Sequence, residues 1–196
     1  MSLDGYHSVL VLGGIRSGKS EYAESLVADA NEVLYVATAA IDEADPEWQR
    51  RIEEHRDRRP AGWRTEETSD DPGRLLSLLS EAEPGQTVLV DDLGGWLVTM
   101  LAGGRANAVH RPVEALADAV RGCTARVIIV SPEVGLTVVP GTKAGRAFAD
   151  AAGTANRALA QVADAVVLVV AGQPSWLKPA GTATPPGVPT TATAGV

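Results

Sequence analysis

Apolar residues in this chain gather into short unbroken runs, and those runs alternate with stretches in which apolar positions recur at helical spacing. Residues 8–12, Ser-Val-Leu-Val-Leu, stop at Gly13 and Gly14 and predict a first strand buried on both faces. Over residues 19–29 the apolar positions are Tyr22, Ala23, Leu26 and Val27, the stripe of an amphipathic helix. Residues 33–37 form a second aliphatic run. Strand, glycine-rich turn, helix and strand in that order make a βαβ unit, with parallel strands and a right-handed crossover.

The alternation continues downstream. Asp45, Pro46 and Glu47 read as a helix start: a cap, a proline at the first helical position and an acid in the first turn. That helix is expected to run to about Arg59 and to end before Pro60. Pro72 or Gly73 opens another through Leu79, and residues 87–90 form a third strand that ends at Asp91 and Asp92. Helices are expected over 93–101, despite Gly94 and Gly95, and over 112–121 and 144–163, with strands over 126–130 and 165–170. The fold class is therefore α/β, three layers with a mostly parallel central sheet flanked by helices. After Lys178 the chain is Pro, Gly, Thr and Ala, with hardly a side chain able to build a core. The expected organisation is a folded domain over residues 1–178 and a disordered tail over 179–196.

Composition narrows the function. Aromatics are only 4 % of the 196 residues, so the core has to come from Val, Leu, Ile and Ala. The formal net charge of −8 comes without a basic stripe, which argues against a nucleic-acid partner. It leaves room for a nucleoside triphosphate, whose site needs only local positive charge. The lone Cys123 cannot form an internal disulfide and suits a reducing cytoplasm; it reads as a small buried side chain. No apolar run approaches a membrane span and the N-terminus has no signal-peptide pattern, so a cytoplasmic protein is expected.

The strongest motif is Gly13, Gly14, Ile15, Arg16, Ser17, Gly18, Lys19 and Ser20, which matches G-x-x-x-x-G-K-[ST] between a buried strand and an amphipathic helix. Its glycines let the backbone approach phosphates, and successive N–H groups form an anion nest. Lys19 reaches the outer phosphates, and the Ser20 hydroxyl is placed to ligate Mg²⁺. Such a loop makes the fold P-loop NTPase-like and calls for an acid at the end of a neighbouring strand to hold the metal through water. Asp91 is the first acid after the run at 87–90 and is favoured over Asp92, with helix capping as the competing role for either.

Residues 45–59 are densely charged, and a solvated face laced with ion pairs explains most of them. His55 differs, because Trp48, Ile52 and His55 share one helical stripe. It is either a structural histidine or a nucleophile toward an α-phosphorus, with Arg56, Arg58 and Arg59 at hand to neutralise phosphates.

Taken together these stretches resemble the bifunctional adenosylcobinamide kinase / adenosylcobinamide-phosphate guanylyltransferase family of cobalamin biosynthesis. The likeness covers residues 9–178. It rests on the P-loop, on Tyr35-Val36-Ala37-Thr38-Ala39, and on residues 51–60 with His55, Arg56, Asp57, Arg58, Arg59 and Pro60, followed by Trp63-Arg64-Thr65 and Glu67. Asp91, Trp96-Leu97, Glu133-Val134-Gly135, Val139-Pro140, Gly145-Arg146, Gly153 and Asn156 add to it. The resemblance implies that a nucleoside triphosphate, ATP or GTP, phosphorylates adenosylcobinamide. GTP then guanylylates His55, and the GMP passes to adenosylcobinamide phosphate to give adenosylcobinamide-GDP. It implies Lys19 and Asp91 beside His55 in catalysis. Nucleotide contacts fall on residues 13–20, Ala37, Thr38, Ala39, Arg56, Asp57, Arg58, Arg59, Glu67 and Asp91, Mg²⁺ on Ser20 and Asp91, and the assembly is a homotrimer. His55 must then reach the α-phosphorus, which calls for mobility over residues 40–66.

Two departures stand out: Gly94-Gly95 after the acidic strand end, and Pro132 where the family pattern has Asn. Glu133 could face the nucleotide or cap a turn. His7 and His110 receive no role. The competing functions are a monofunctional P-loop kinase, which His55 and its arginines argue against, and a nonenzymatic nucleotide switch, which would need a partner surface that the pattern does not show.

Overall fold

The computed structural model describes residues 5–39, 50, 59–102 and 109–178. In chain order the elements there are β1 (Ser8–Gly13), α1 (Lys19–Leu26), β2 (Val33–Ala37), β3 (Arg64–Glu67), α2 (Arg74–Glu81), β4 (Thr87–Asp91), α3 (Leu93–Ala102), α4 (His110–Gly122), β5 (Arg126–Pro132), α5 (Lys143–Val162), β6 (Ala165–Val170) and β7 (Gln173–Lys178). The strands form one sheet in the order β3-β2-β4-β5-β1-β6-β7. Every neighbouring pair is parallel except β6 and β7. The five aliphatic runs of the sequence occupy its middle, where both faces are covered and a strand can be apolar throughout.

Alternation along those strands sorts the core into two layers. Leu10, Leu12, Val88, Val90, Val127 and Ile129 point to a face packed by α2, α3, α4 and α5, with Leu79, Leu97, Leu116 and Leu159 buried in the contact. Val9, Val11, Tyr35, Leu89, Ile128 and Val130 point to the other, where Ala23, Leu26 and Val27 from the α1 region meet Tyr6, Trp63 and Trp176. Cys123 is buried and free, as its composition-based reading expected.

Two strands carry no apolar signature and were not expected from the pattern. β3, Arg-Thr-Glu-Glu, is an edge strand held by parallel pairing to β2, from Leu34↔Arg64 to Ala37↔Glu67. Charged side chains are the usual protection of such an edge. β7 contains Pro174, which an edge strand tolerates, and returns antiparallel beside β6. Its two-residue turn, Ala171 and Gly172, has positive φ at both positions (51° and 73°), the geometry that follows strand twist.

Helix ends shift slightly. α1 stops at Leu26 rather than Asp29, because Val27 donates its N–H to the Glu24 carbonyl and Ala30 to that of Val27, tightening the chain into turns. Thr142 caps α5 by accepting from Gly145 N at 3.0 Å. At the other end of α5, Lys178 Nζ donates to the Ala160 and Gln161 carbonyls at 3.0 and 3.3 Å, which favours the helix C-terminus electrostatically. The helix expected over residues 45–59 lies, apart from helical Arg50 and the bend at Arg59, outside the described residues, as does the tail expected at 179–196.

Candidate nucleotide-binding site

The parallel strands end together beside the loop between β1 and α1. Arg16 (φ 56°) and Gly18 (φ 87°) both take left-handed backbone there, turning successive N–H groups toward one side. Gly18 precedes α1 with no side chain capping the helix, so the first-turn N–H groups are left for an anion. The β6–β7 turn braces this loop from behind: Gly172 N donates to the Ser17 carbonyl at 2.8 Å. A side chain at Gly18 would come within 3.1 Å of Gly172 Cα, a second reason for glycine there. Ser17 Oγ is buried without a hydrogen-bond partner, a spare donor inside the cradle.

Asp91 sits at the end of β4, 8 % exposed, and each carboxylate oxygen accepts a hydroxyl. Ser20 Oγ donates to Oδ1 at 2.9 Å and Tyr35 OH to Oδ2 at 2.6 Å. Burial first, and then the Asp91 charge, hold the Tyr35 phenol far above the usual tyrosine range, so it remains a donor. Asp92 turns the other way. Its Oδ1 accepts from Gly94 N at 2.9 Å, and its Oδ2 lies 3.7 Å from Lys19 Nζ. Burial and the neighbouring Asp91 push the Asp92 carboxyl above the usual carboxylate range, with Lys19 opposing. The two acids thus divide between Ser20 and Lys19, and it is Asp91 that faces the hydroxyl.

Thr38 and Ala39 join the end of β2 to the start of α3. The Thr38 hydroxyl donates to the Asp92 carbonyl and accepts from Trp96 N at 3.1 Å. Any Cβ at Gly95 would stand 2.5 Å from Ala39 Cα, so the backbones meet only because residue 95 is glycine. One at Gly94 would approach Pro132 Cγ to 3.2 Å. The two departures noted in the sequence are therefore packed against each other. Asn156 Nδ2 donates to the Pro132 carbonyl at 3.0 Å, and its Oδ1 accepts from Ser131 Oγ at 2.6 Å, tying α5 to the end of β5.

Ala37 lies in register between Glu67 and Asp91 on the flanking strands, and the Glu67 side chain is exposed at the sheet edge. The Arg59 guanidinium lies 3.5 Å from the centre of the Tyr35 ring, and Trp63 stacks on the same ring at 6.3 Å. Arg59 Nε is buried and has no hydrogen-bond partner. Glu133 is a turn cap: its Oε1 accepts from Gly135 N at 2.6 Å. His55, Arg56, Asp57 and Arg58 lie outside the described residues. Sequence reasoning gave no role to Tyr35. Its signal was a hydroxyl-bearing aromatic in an aliphatic strand, two residues before the position paired with Asp91 and hence on the same sheet face.

The arrangement fits a phosphate chain over residues 13–20 and a divalent cation near Ser20 and Asp91. Among the described residues no three His, Cys, Asp or Glu side chains cluster, so a cation here would share its coordination with phosphate oxygens and water. No helix among them is long and apolar enough to cross a membrane.

These features define a P-loop NTPase-like domain, and a solved ATPase of a bacterial type III secretion system shares the fold alone: TM-score 0.50 at 8 % identity, over 83 % of this chain and 51 % of that one. A closer relationship is carried by sequence. The family described as cobinamide kinase / cobinamide phosphate guanyltransferase matches residues 9–177, and the chain belongs to it. The bifunctional adenosylcobalamin biosynthesis protein CobP of Pseudomonas aeruginosa is 44 % identical over 86 % of this chain and 96 % of its own length. The bifunctional protein CobU of Salmonella typhimurium is 37 % identical over 84 % and 96 % respectively.

Proposed function

We propose that one triphosphate site, built on residues 13–20, serves two successive transfers by this chain in adenosylcobalamin biosynthesis. In the first, the aminopropanol hydroxyl oxygen of adenosylcobinamide bonds to the γ-phosphorus of ATP or GTP. The bond to the β,γ-bridging oxygen breaks, the nucleoside diphosphate leaves with the electron pair, and the hydroxyl proton passes to water. In the second, a neutral His55 nitrogen bonds to the α-phosphorus of GTP and pyrophosphate leaves. The phosphate of adenosylcobinamide phosphate then takes the GMP, giving adenosylcobinamide-GDP and free His55.

The chain's own groups divide the work. The loop N–H groups and the start of α1 hold the phosphates, and Lys19 exchanges Asp92 for the outer phosphate oxygens. Ser20 and Asp91 hold Mg²⁺, which when bound neutralises charge on the phosphates. Ala37, Thr38, Ala39 and Glu67 border the nucleotide, and Arg56, Asp57, Arg58 and Arg59 extend the site beside His55. The spare Nε of Arg59 supports that extension. The observation that carries the reading is the convergence of Lys19, Ser20 and Asp91 at one end of the sheet, in a chain whose family match spans residues 9–177. A homotrimer, a cytoplasmic location and a domain ending at Lys178 complete the same reading, and sedimentation of the purified protein tests the first.

Incubation with α-labelled GTP and Mg²⁺, followed by denaturation, should leave an acid-labile label on the protein. His55→Ala should abolish the label and leave phosphorylation of adenosylcobinamide within about tenfold of wild type, since removing one group-transfer nucleophile stops only the step it serves. A folded wild-type chain that never takes the label would leave a kinase without the second transfer.

A further inference from the structure

We infer that Tyr35 is a positioning residue with two separable functions: its hydroxyl fixes the carboxylate that faces the metal, and its ring seats Arg59 beside the nucleotide. The inference rests on the reading of Asp91 as the metal-facing acid. Asp91 has two oxygens, and a carboxylate free to rotate offers either of them to a cation. Here Tyr35 OH takes Oδ2 at 2.6 Å and leaves Oδ1 to Ser20 Oγ at 2.9 Å, so the oxygen turned toward the phosphate loop is always the same one. Tyr35 is 1 % exposed, which keeps water from competing for Oδ2.

The ring does something else. One face carries the Arg59 guanidinium at 3.5 Å, and Trp63 stacks on the ring at 6.3 Å with planes 26° apart. A guanidinium over an aromatic face keeps its charge while giving up little of its hydrogen-bonding capacity. Arg59 is thereby held over the ring whose hydroxyl binds Asp91, with its Nε donor unused. A tyrosine whose only role was packing would need neither the short hydroxyl contact nor the cation.

The two functions separate in two variants. Tyr35→Phe keeps the ring and removes the hydroxyl, whereas Tyr35→Leu removes both. Calorimetric titration with GDP, once with Mg²⁺ and once with a chelator, reads them apart. For Tyr35→Phe, affinity for GDP should fall about tenfold with Mg²⁺, the size of one charge-assisted hydrogen bond, and stay within about twofold in chelator. Tyr35→Leu should lose a further factor of about three to ten under both conditions, the worth of a seated guanidinium. The thermal midpoint of Tyr35→Phe should fall by a few degrees, because Asp91 Oδ2 loses a buried donor, but that loss alone would not make the drop in affinity depend on Mg²⁺. If Tyr35→Phe loses affinity equally with and without Mg²⁺, or not at all, the hydroxyl only packs and the inference falls. If Tyr35→Leu matches Tyr35→Phe in chelator, the seat for Arg59 is void. A wild-type chain that binds GDP equally with and without Mg²⁺ overturns the parent reading of Asp91, and this one with it.

Discussion

One face of the sheet is covered by four helices, packed through leucine, valine and alanine. On the other, α1 is the one helix among the described residues, and aromatic side chains complete the cover: Tyr6, Tyr22, Tyr35, Trp63 and Trp176. Among the described residues the helical face holds Trp96 and Phe148. Of the seven aromatic side chains among the described residues, five thus lie on the face with one described helix. A flat ring covers more strand surface per residue than an aliphatic side chain and can carry a polar tip. Tyr35 uses that tip on Asp91, and its ring on Arg59 and Trp63. Burial on the helical face therefore serves stability, while on the aromatic face the same contacts also shape the nucleotide site.

The largest separation should come from Leu116→Ala, a truncation of a fully buried leucine on the helical face. It should cost about 3 kcal/mol and lower the thermal midpoint by roughly 6–12 °C, measured by calorimetry. Affinity for Mg²⁺·GDP at 25 °C should stay within about twofold, because folded molecules keep the site intact. A parallel drop in affinity would break the division between the faces. Gly95→Ala tests the joint between them. The added methyl would meet Ala39 backbone at 2.5 Å, so stability should fall by about 1–3 kcal/mol and nucleotide affinity with it, as β2 and α3 are forced apart. Retained stability would mean that this junction yields easily. Trp63→Ala on the aromatic face should show the reverse balance to Leu116→Ala. Stacking on Tyr35 is worth about 1 kcal/mol, so the midpoint moves a few degrees, while Mg²⁺·GDP affinity drops several-fold through Tyr35 and Arg59.

How much of this could be read beforehand follows from what each segment buries. β1, β2, β4, β5 and β6 were legible because a strand covered on both faces has to be apolar throughout. β3 was not, since Arg64, Thr65, Glu66 and Glu67 owe their extended form to hydrogen bonds with β2 rather than to burial. β7 escaped because Pro174 argues against a strand and an Ala-Gly turn is a weaker hairpin signal than Asn-Gly. At the candidate site, the glycine-rich turn before α1 and the acid at the end of β4 were legible from spacing, because a phosphate cradle needs those residue types in that order. The bond from Tyr35 to Asp91 and the brace from Gly172 to Ser17 were not. Both cross between strands whose neighbours only the sheet order reveals. The Gly94-Gly95 and Pro132 departures looked independent along the chain, yet they touch.

The strand that leads into the phosphate loop is made before both of the strands it sits between, β1 pairing with β5 from Ser8↔Val127 and with β6 from Val9↔Ala165. As the chain leaves the ribosome, β1 therefore has no strand partner until residues 126–132 have emerged and no second one until β6 follows, whereas β2 and β4 can already pair. Synthesis order and assembly order run opposite to each other at this point. A nascent or truncated chain that ends before β5 carries the whole phosphate-binding motif in its sequence and still has no strand to pair with β1.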